Sequence, residues 1–150
     1  MNGTTLTFAL LAAGAGACIA LQATANSKFR ANLDSPLYAA FFSICGTIIV
    51  ASFAMLLIRP ALPSKEAFAS TQWWNWIGGP LGALIVLAGA VLTQQLGAAK
   101  FIALVVAGQL ICSLVLDHYG LLGLNEKTIT PGRVLGAVLV VAGVLCIKYL

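Results

Sequence analysis

Apolar residues fall in five stretches of membrane-spanning length, each broken off by a short polar segment. The stretches are Thr4–Ala25, Pro36–Ile58, Trp74–Leu92, Gly97–Tyr119 and Gly132–Tyr149. A hydrocarbon core about 30 Å thick takes roughly 20 apolar residues of α-helix, and only helices or closed barrels satisfy the backbone there. The pattern therefore predicts five transmembrane helices. Local chemistry fixes several ends. Pro36 and Pro131 suit a helix start, where the missing N–H costs nothing. Trp73, Trp74 and Trp76 mark a headgroup level at the start of the third span, because indole rings favour that layer. The connections are short. Residues 26–35 hold Lys28, Arg30 and Asp34; residues 59–72 hold Arg59, Lys65 and Glu66; residues 93–99 hold Gln94 and Gln95; residues 120–131 hold Glu126 and Lys127. None is long enough to separate domains, so residues 1–150 read as a single five-helix transmembrane domain.

Composition narrows the class. Of 150 residues, 61% are hydrophobic and 8% charged, against about 25% charged in a soluble domain. A soluble globular domain is excluded, and so is a disordered chain. The net charge is +4, but the basic residues are spread singly and form no nucleic-acid-binding patch. Cys18, Cys45, Cys112 and Cys146 each lie in an apolar run, where free thiols behave as small hydrophobes. The single histidine, His118, is isolated, so no metal-ligand cluster is expected. Nucleophile–base pairs, P-loops and Gly-rich phosphate cradles are lacking, so neither catalysis nor a cofactor is expected. Ala23-Thr24-Ala25 and Ala15–Cys18 resemble cleavage sites, but no Lys or Arg precedes the apolar run, so the first span is expected to stay.

Charge along the chain bears on orientation. With five spans, Arg59, Lys65, Lys127 and Arg133 fall on the side of the N-terminus, and Lys28, Arg30, Lys100 and Lys148 on the other. Lys/Arg bias normally sets topology, and here four oppose four. A zero bias has two readings. Eight charges are few enough to balance by chance, or the same chain inserts both ways and opposed copies pair. An odd number of spans makes such a pair an inverted repeat, a recurring transporter architecture.

Small and polar residues inside the spans carry the candidate chemistry. Gly136 and Gly143 share one face of the last span, as Gly82 and Gly89 do in the third; small residues let helices approach closely in lipid. Polar side chains at depth face a bundle interior or a cavity. Gln109 lies midway along the fourth span with Ser113 one turn on, and Gln22 and Asn26 form another i,i+4 pair near the end of the first. Such groups contact a solute or bond neighbouring helices. Ser43 and Thr47 are expected to bond their own helix carbonyls. Lys100 and Asp117 bound the fourth span about 25 Å apart at 1.5 Å per residue. Lys100 can snorkel to the interface; Asp117 is a proton-linked acid or a helix-end residue.

Trp73-Trp74 followed by Gly78-Gly79-Pro80-Leu81-Gly82, then Leu96–Ala99, Ile102–Leu110 and Leu114–Gly120, resemble the YdcZ family of small bacterial membrane proteins. Gly14-x-Gly16 followed by Gln22-x-x-x-Asn26 matches too. That family sits in the drug/metabolite transporter superfamily, and the resemblance implies antiparallel pairing. The last span also resembles the glycine motif on the pairing helix of small multidrug resistance proteins. The first span lacks the carboxylate those exporters use for protons and cations, which argues against carrying over their exchange mechanism. Lys100 stands where many relatives carry Thr or a small residue. Facing a cavity, it would favour anions, aided by the adjacent helix N-terminus.

These readings converge on an all-α membrane protein with five transmembrane helices per chain, paired as an antiparallel homodimer of ten in the bacterial inner membrane. The expected function is transport of a small organic solute, a metabolite or drug, by alternating access. A passive channel and a non-transporting accessory subunit are the rival readings. Solute contact is expected at Gln109, Ser113, Gln22, Asn26 and Trp74, with coupling or charge selectivity at Asp117 and Lys100. Helix packing is expected at Gly136, Gly143, Gly82 and Gly89. The expected partners are a second copy or a close paralogue, membrane lipid and the solute.

Overall fold

The computed structural model describes residues 2–149. It is all-helical: α1 (Gly3–Leu33), α2 (Pro36–Ile58), α3 (Lys65–Ala69), α4 (Gly78–Leu96), α5 (Ala98–His118) and α6 (Pro131–Tyr149). A 3₁₀ turn at Trp73–Trp76 leads into α4, and another at Leu121–Gly123 follows α5. Five helices are long and apolar enough to cross a membrane, counting Trp73–Leu96 as one. The chain forms two compact units that divide between Gln94 and Gln95.

In the first unit, α1 runs past Ala25, where the apolar stretch ends, to Leu33. Nothing between Asn26 and Leu33 breaks a helix: the segment has neither Gly nor Pro. The helix stops at Asp34, which adopts a left-handed conformation (φ 50°) and donates its N–H to the Arg30 carbonyl. At 31 residues, α1 measures about 46 Å, well beyond the hydrocarbon thickness. The end carrying Lys28 and Arg30 therefore reaches the headgroup layer. Ser35 then caps α2, its Oγ accepting from the Tyr38 N–H at 3.4 Å, with Pro36 in the first turn. The α1–α2 hairpin packs near this turn, where the rings of Phe29 and Phe42 lie 6.0 Å apart. Residues 3–19 of α1 are exposed throughout. Buried positions of this unit are small ones: Ala23, Asn26 and Ser27 on α1, Ala39 and Ala40 on α2, and Gly89, Ala90 and Thr93 on α4.

The connection between α2 and α4 carries more structure than a plain loop. Ser64 caps α3, its Oγ accepting from the Ala67 N–H at 3.2 Å. Glu66 in the first turn is held below the usual carboxylate range by its own backbone N–H and by the Ser64 hydroxyl. Trp73 and Trp74 meet edge-on at 5.8 Å, and Trp76 donates from Nε1 to Thr71 Oγ1 at 3.2 Å. The three indoles sit together at the membrane end where the third span begins.

In the second unit, α5 packs on α6. Gly97, with φ +81°, precedes α5 in a conformation that residues with a side chain rarely adopt. The segment joining α5 and α6 folds back onto the end of α5. Lys127 donates its N–H to the Asp117 carbonyl at 2.7 Å, and the Ile129 N–H reaches His118 Nδ1 at 3.4 Å. Gly120 turns the chain at φ +57°, and a Cβ there would meet Glu126 Cγ at 2.8 Å and the Leu124 carbonyl at 3.0 Å. Gly123 also has positive φ (+81°), but a Cβ would meet nothing. Left-handed backbone costs a residue with a side chain about 1–2 kcal/mol. Gly120→Ala is expected to lower the melting temperature in detergent more than Gly123→Ala, the difference reporting the clash alone; equal losses would show that the folded-back segment yields freely.

Candidate functional site

The first unit holds a groove of about 630 Å³ between α1, α2 and α4. It exists because α4 opens with small residues. Gly78, Gly79, Gly82 and Ala83 form one wall, and a Cβ at any of the three glycines would touch nothing. Ile44, Ile48, Ile85 and Val86 make the lining apolar. Gln22 supplies an amide, and the Thr47 hydroxyl is already spent on its own helix, donating to the Ser43 carbonyl at 3.2 Å. That is the behaviour expected of Thr47.

Towards the end of α1 a side chain ties it to α4 and defines a seam. At its far end Arg30 Nη1 donates to the Val91 carbonyl at 3.3 Å and to Gln94 Oε1 at 2.7 Å. Gln22 at the groove and Arg30 at the staple are two helical turns apart, and both meet α4. Asn26 lies between them on the same face. On α4 the corresponding stretch holds Gly89, Ala90 and Thr93, all buried. Asn26 and Thr93 are each 6% exposed. Asn26 Nδ2 and Thr93 Oγ1 are buried without a hydrogen-bond partner. Such atoms typically cost about 1–3 kcal/mol each, so one on α1 and one on α4 are unusual for purely structural packing.

The second unit holds a groove of about 390 Å³ between α5 and α6, lined by Ser113, Asp117, Arg133 and Gly136 with Leu110, Leu114, Ala137 and Val140. Asp117 Oδ2 accepts from Arg133 Nη2 at 3.0 Å, and Arg133 Nη1 also reaches the Lys127 carbonyl at 3.3 Å. This ion pair is about one-third exposed on both sides. Each partner sits at the wrong end of its helix dipole, an acid closing α5 and a guanidinium opening α6, so each offsets the other. Ser113 donates to the Leu110 carbonyl at 2.9 Å, which occupies its proton.

A family model described as "Putative inner membrane exporter, YdcZ" matches residues 7–146. The chain is also 33% identical over 141 residues to the "Inner membrane protein YdcZ" of Escherichia coli (strain K12), covering 93% of this chain and 91% of that one. The chain belongs to the YdcZ family. It is therefore a multi-pass inner-membrane protein of an exporter family. No solved structure matches it.

Within this YdcZ family member the sequence-expected site residues separate into groups. Gln22 and Gly82 line the first groove, and Asn26 lies one turn along α1 from Gln22. Trp74 lies half-buried four residues before Gly78, paired with Trp73. Ser113, Asp117 and Gly136 gather at the second groove. Gln109 is exposed on α5 and Lys100 is exposed near its start. Gly89 is buried. Gly143 is exposed, and a Cβ there would meet nothing. Three residues go beyond the sequence reading: Arg30, Thr93 and Arg133. Arg30 continues the Gln22, Asn26 spacing by one more turn, a signal that hydropathy hides because apolar character stops at Ala25. Thr93 continues the Gly82, Gly89 face of α4 by four residues.

Proposed function

We propose that the chain exports a small organic solute by alternating access, as an antiparallel homodimer with the solute held at the α1–α2–α4 groove. One observation carries this reading: in an otherwise apolar bundle, the helices that wall a groove with the Gln22 amide also carry two buried, unpaired polar atoms, on Asn26 of α1 and Thr93 of α4. Groups left unsatisfied in one conformation find partners in another, which suits a seam that opens and closes around a solute. Trp74 lies just ahead of the glycines at the groove's rim. Separately, on α5 of the second unit, Gln109 and Ser113 are proposed as solute contacts, with Lys100 and Asp117 biasing charge selectivity there.

Antiparallel pairing rests on the even split of basic residues, four on each side. Gly136 and Gly143 are the contact proposed between copies, since no atom of the same chain would meet a Cβ at either. Gly143→Leu is expected to reduce the dimer fraction measured by cross-linking in lipid; an unchanged fraction would remove that face from the interface. Gly89, buried on α4, acts within the chain, and Gly82 opens the groove wall.

The test is flux through purified protein in liposomes. Saturable, solute-specific counterflow that is lost in Gln22→Leu supports the reading. Conductance far above carrier rates would make the pair a channel, and absence of flux across a broad metabolite panel would make it an accessory subunit.

A further inference from the structure

The electrostatics of the α1–α4 seam point to the class of solute. Arg30 is half-buried, and both of its hydrogen bonds go to neutral acceptors, Val91 O and Gln94 Oε1. Both are made by Nη1, which leaves the Nε/Nη2 edge of the guanidinium fork. Residues 1–94 contain two acids, Asp34 and Glu66. Asp34 caps α1 in a left-handed conformation and is not ion-paired with Arg30, and Glu66 lies in α3 of the α2–α4 connection. Among the described residues the ion pair formed is Asp117–Arg133, in the other unit. A partly desolvated cation without a counter-charge is costly, and a guanidinium is matched in geometry by a carboxylate. The unpaired atoms beside it add donors: Asn26 Nδ2 donates only, and the Thr93 hydroxyl can donate.

We propose that this seam binds a monocarboxylate with an apolar body, its carboxylate held by Arg30, Asn26 and Thr93 and its body lying in the groove beside Gln22. The inference rests on the reading of that groove as the solute site. Gln22 and Arg30 lie about 12 Å apart along α1 at 1.5 Å per residue, the length of an aryl or medium-chain acid. The apolar walls at Ile44, Ile48 and Val86 suit the body. The carboxylate reaches Asn26 and Thr93 when α1 and α4 part, the movement alternating access needs. Water-exposed carboxylates would gain two charge-assisted bonds at the fork, and the two orphaned atoms would gain partners.

The experiment uses the full-length protein in lipid nanodiscs, with indole-3-acetate, benzoate and octanoate as carboxylate probes and benzamide and benzylamine as neutral and cationic controls. At least one carboxylate is expected to bind saturably and at least tenfold more tightly than either control. Asn26→Asp places a carboxylate one helical turn from Arg30, where it pairs internally; carboxylate binding is expected to fall at least tenfold while the fold is retained. Arg30→Lys keeps the charge without the fork and is expected to bind more weakly than wild type yet better than Arg30→Gln. If Arg30→Gln fails to fold, Asn26→Asp still decides. Failure of all three acids to bind, equal binding of benzamide, or unchanged affinity in Asn26→Asp overturns the proposal. Benzamide or benzylamine binding lost in Gln22→Leu would keep the solute site and remove its anion preference. Binding insensitive to Gln22 would remove the site itself.

Discussion

Thr93→Val and Asn26→Leu are expected to make the protein more stable and less active. Valine matches threonine in shape and replaces a buried hydroxyl without a partner by a methyl group. Relieving an unsatisfied buried polar atom is worth about 1–3 kcal/mol, or about 2–4 °C in melting temperature per kcal/mol for a chain this long. Leucine at 26 removes the unpaired Nδ2 in the same way, at the risk of a small packing penalty. Transport is expected to fall at least tenfold in both, because the groups that destabilise the closed seam are those offered to the solute. Stability given up at a working site is a recurrent trade-off. The check is a paired measurement on each variant, thermal melting and counterflow. A variant that loses stability would show that Asn26 or Thr93 has a structural bond after all. One that gains stability at full activity would take the residue out of the transport path.

The second large effect concerns orientation. Adding three lysines to the connection between α5 and α6 breaks the four-to-four balance and is expected to fix one topology, with the modified side in the cytoplasm. A population inserted one way cannot form antiparallel pairs, so transport is expected to vanish rather than decline. Co-expression with a copy carrying three added lysines between α1 and α2 supplies the opposite orientation and is expected to restore flux. Gly120 and the residues bonded to Asp117 and His118 should be left intact, since that segment folds onto the end of α5. Full activity in the singly locked variant would mean that parallel copies or single chains transport.

Hydropathy placed the five spans because each must bury a length of backbone in lipid, and that requirement leaves long apolar runs. Pro36 and Pro131 located helix starts to within a residue, since their backbone preferences are local. The end of α1 was not readable in the same way. Apolar character stops at Ala25, but helix does not, because a helix ends where a residue breaks it, here Asp34. The error hid Arg30, which otherwise continues the spacing of Gln22 and Asn26. Thr93 looks like any hydroxyl in an apolar helix, and only packing shows it to be buried and unpaired. The Asp117–Arg133 pair depends on how the segment between α5 and α6 folds, which one-dimensional periodicity does not encode. The short α3 had a local signature, Ser64 followed by Glu66, but five residues leave no period to detect.

Pairing of oppositely inserted copies is the central claim, and a tag after residue 150 tests it most directly. Accessibility of the tag from each face of the membrane should be comparable on both sides, because basic residues give neither orientation an advantage. A tag found on one face alone, with no second gene product supplying the opposite orientation, would contradict the antiparallel homodimer.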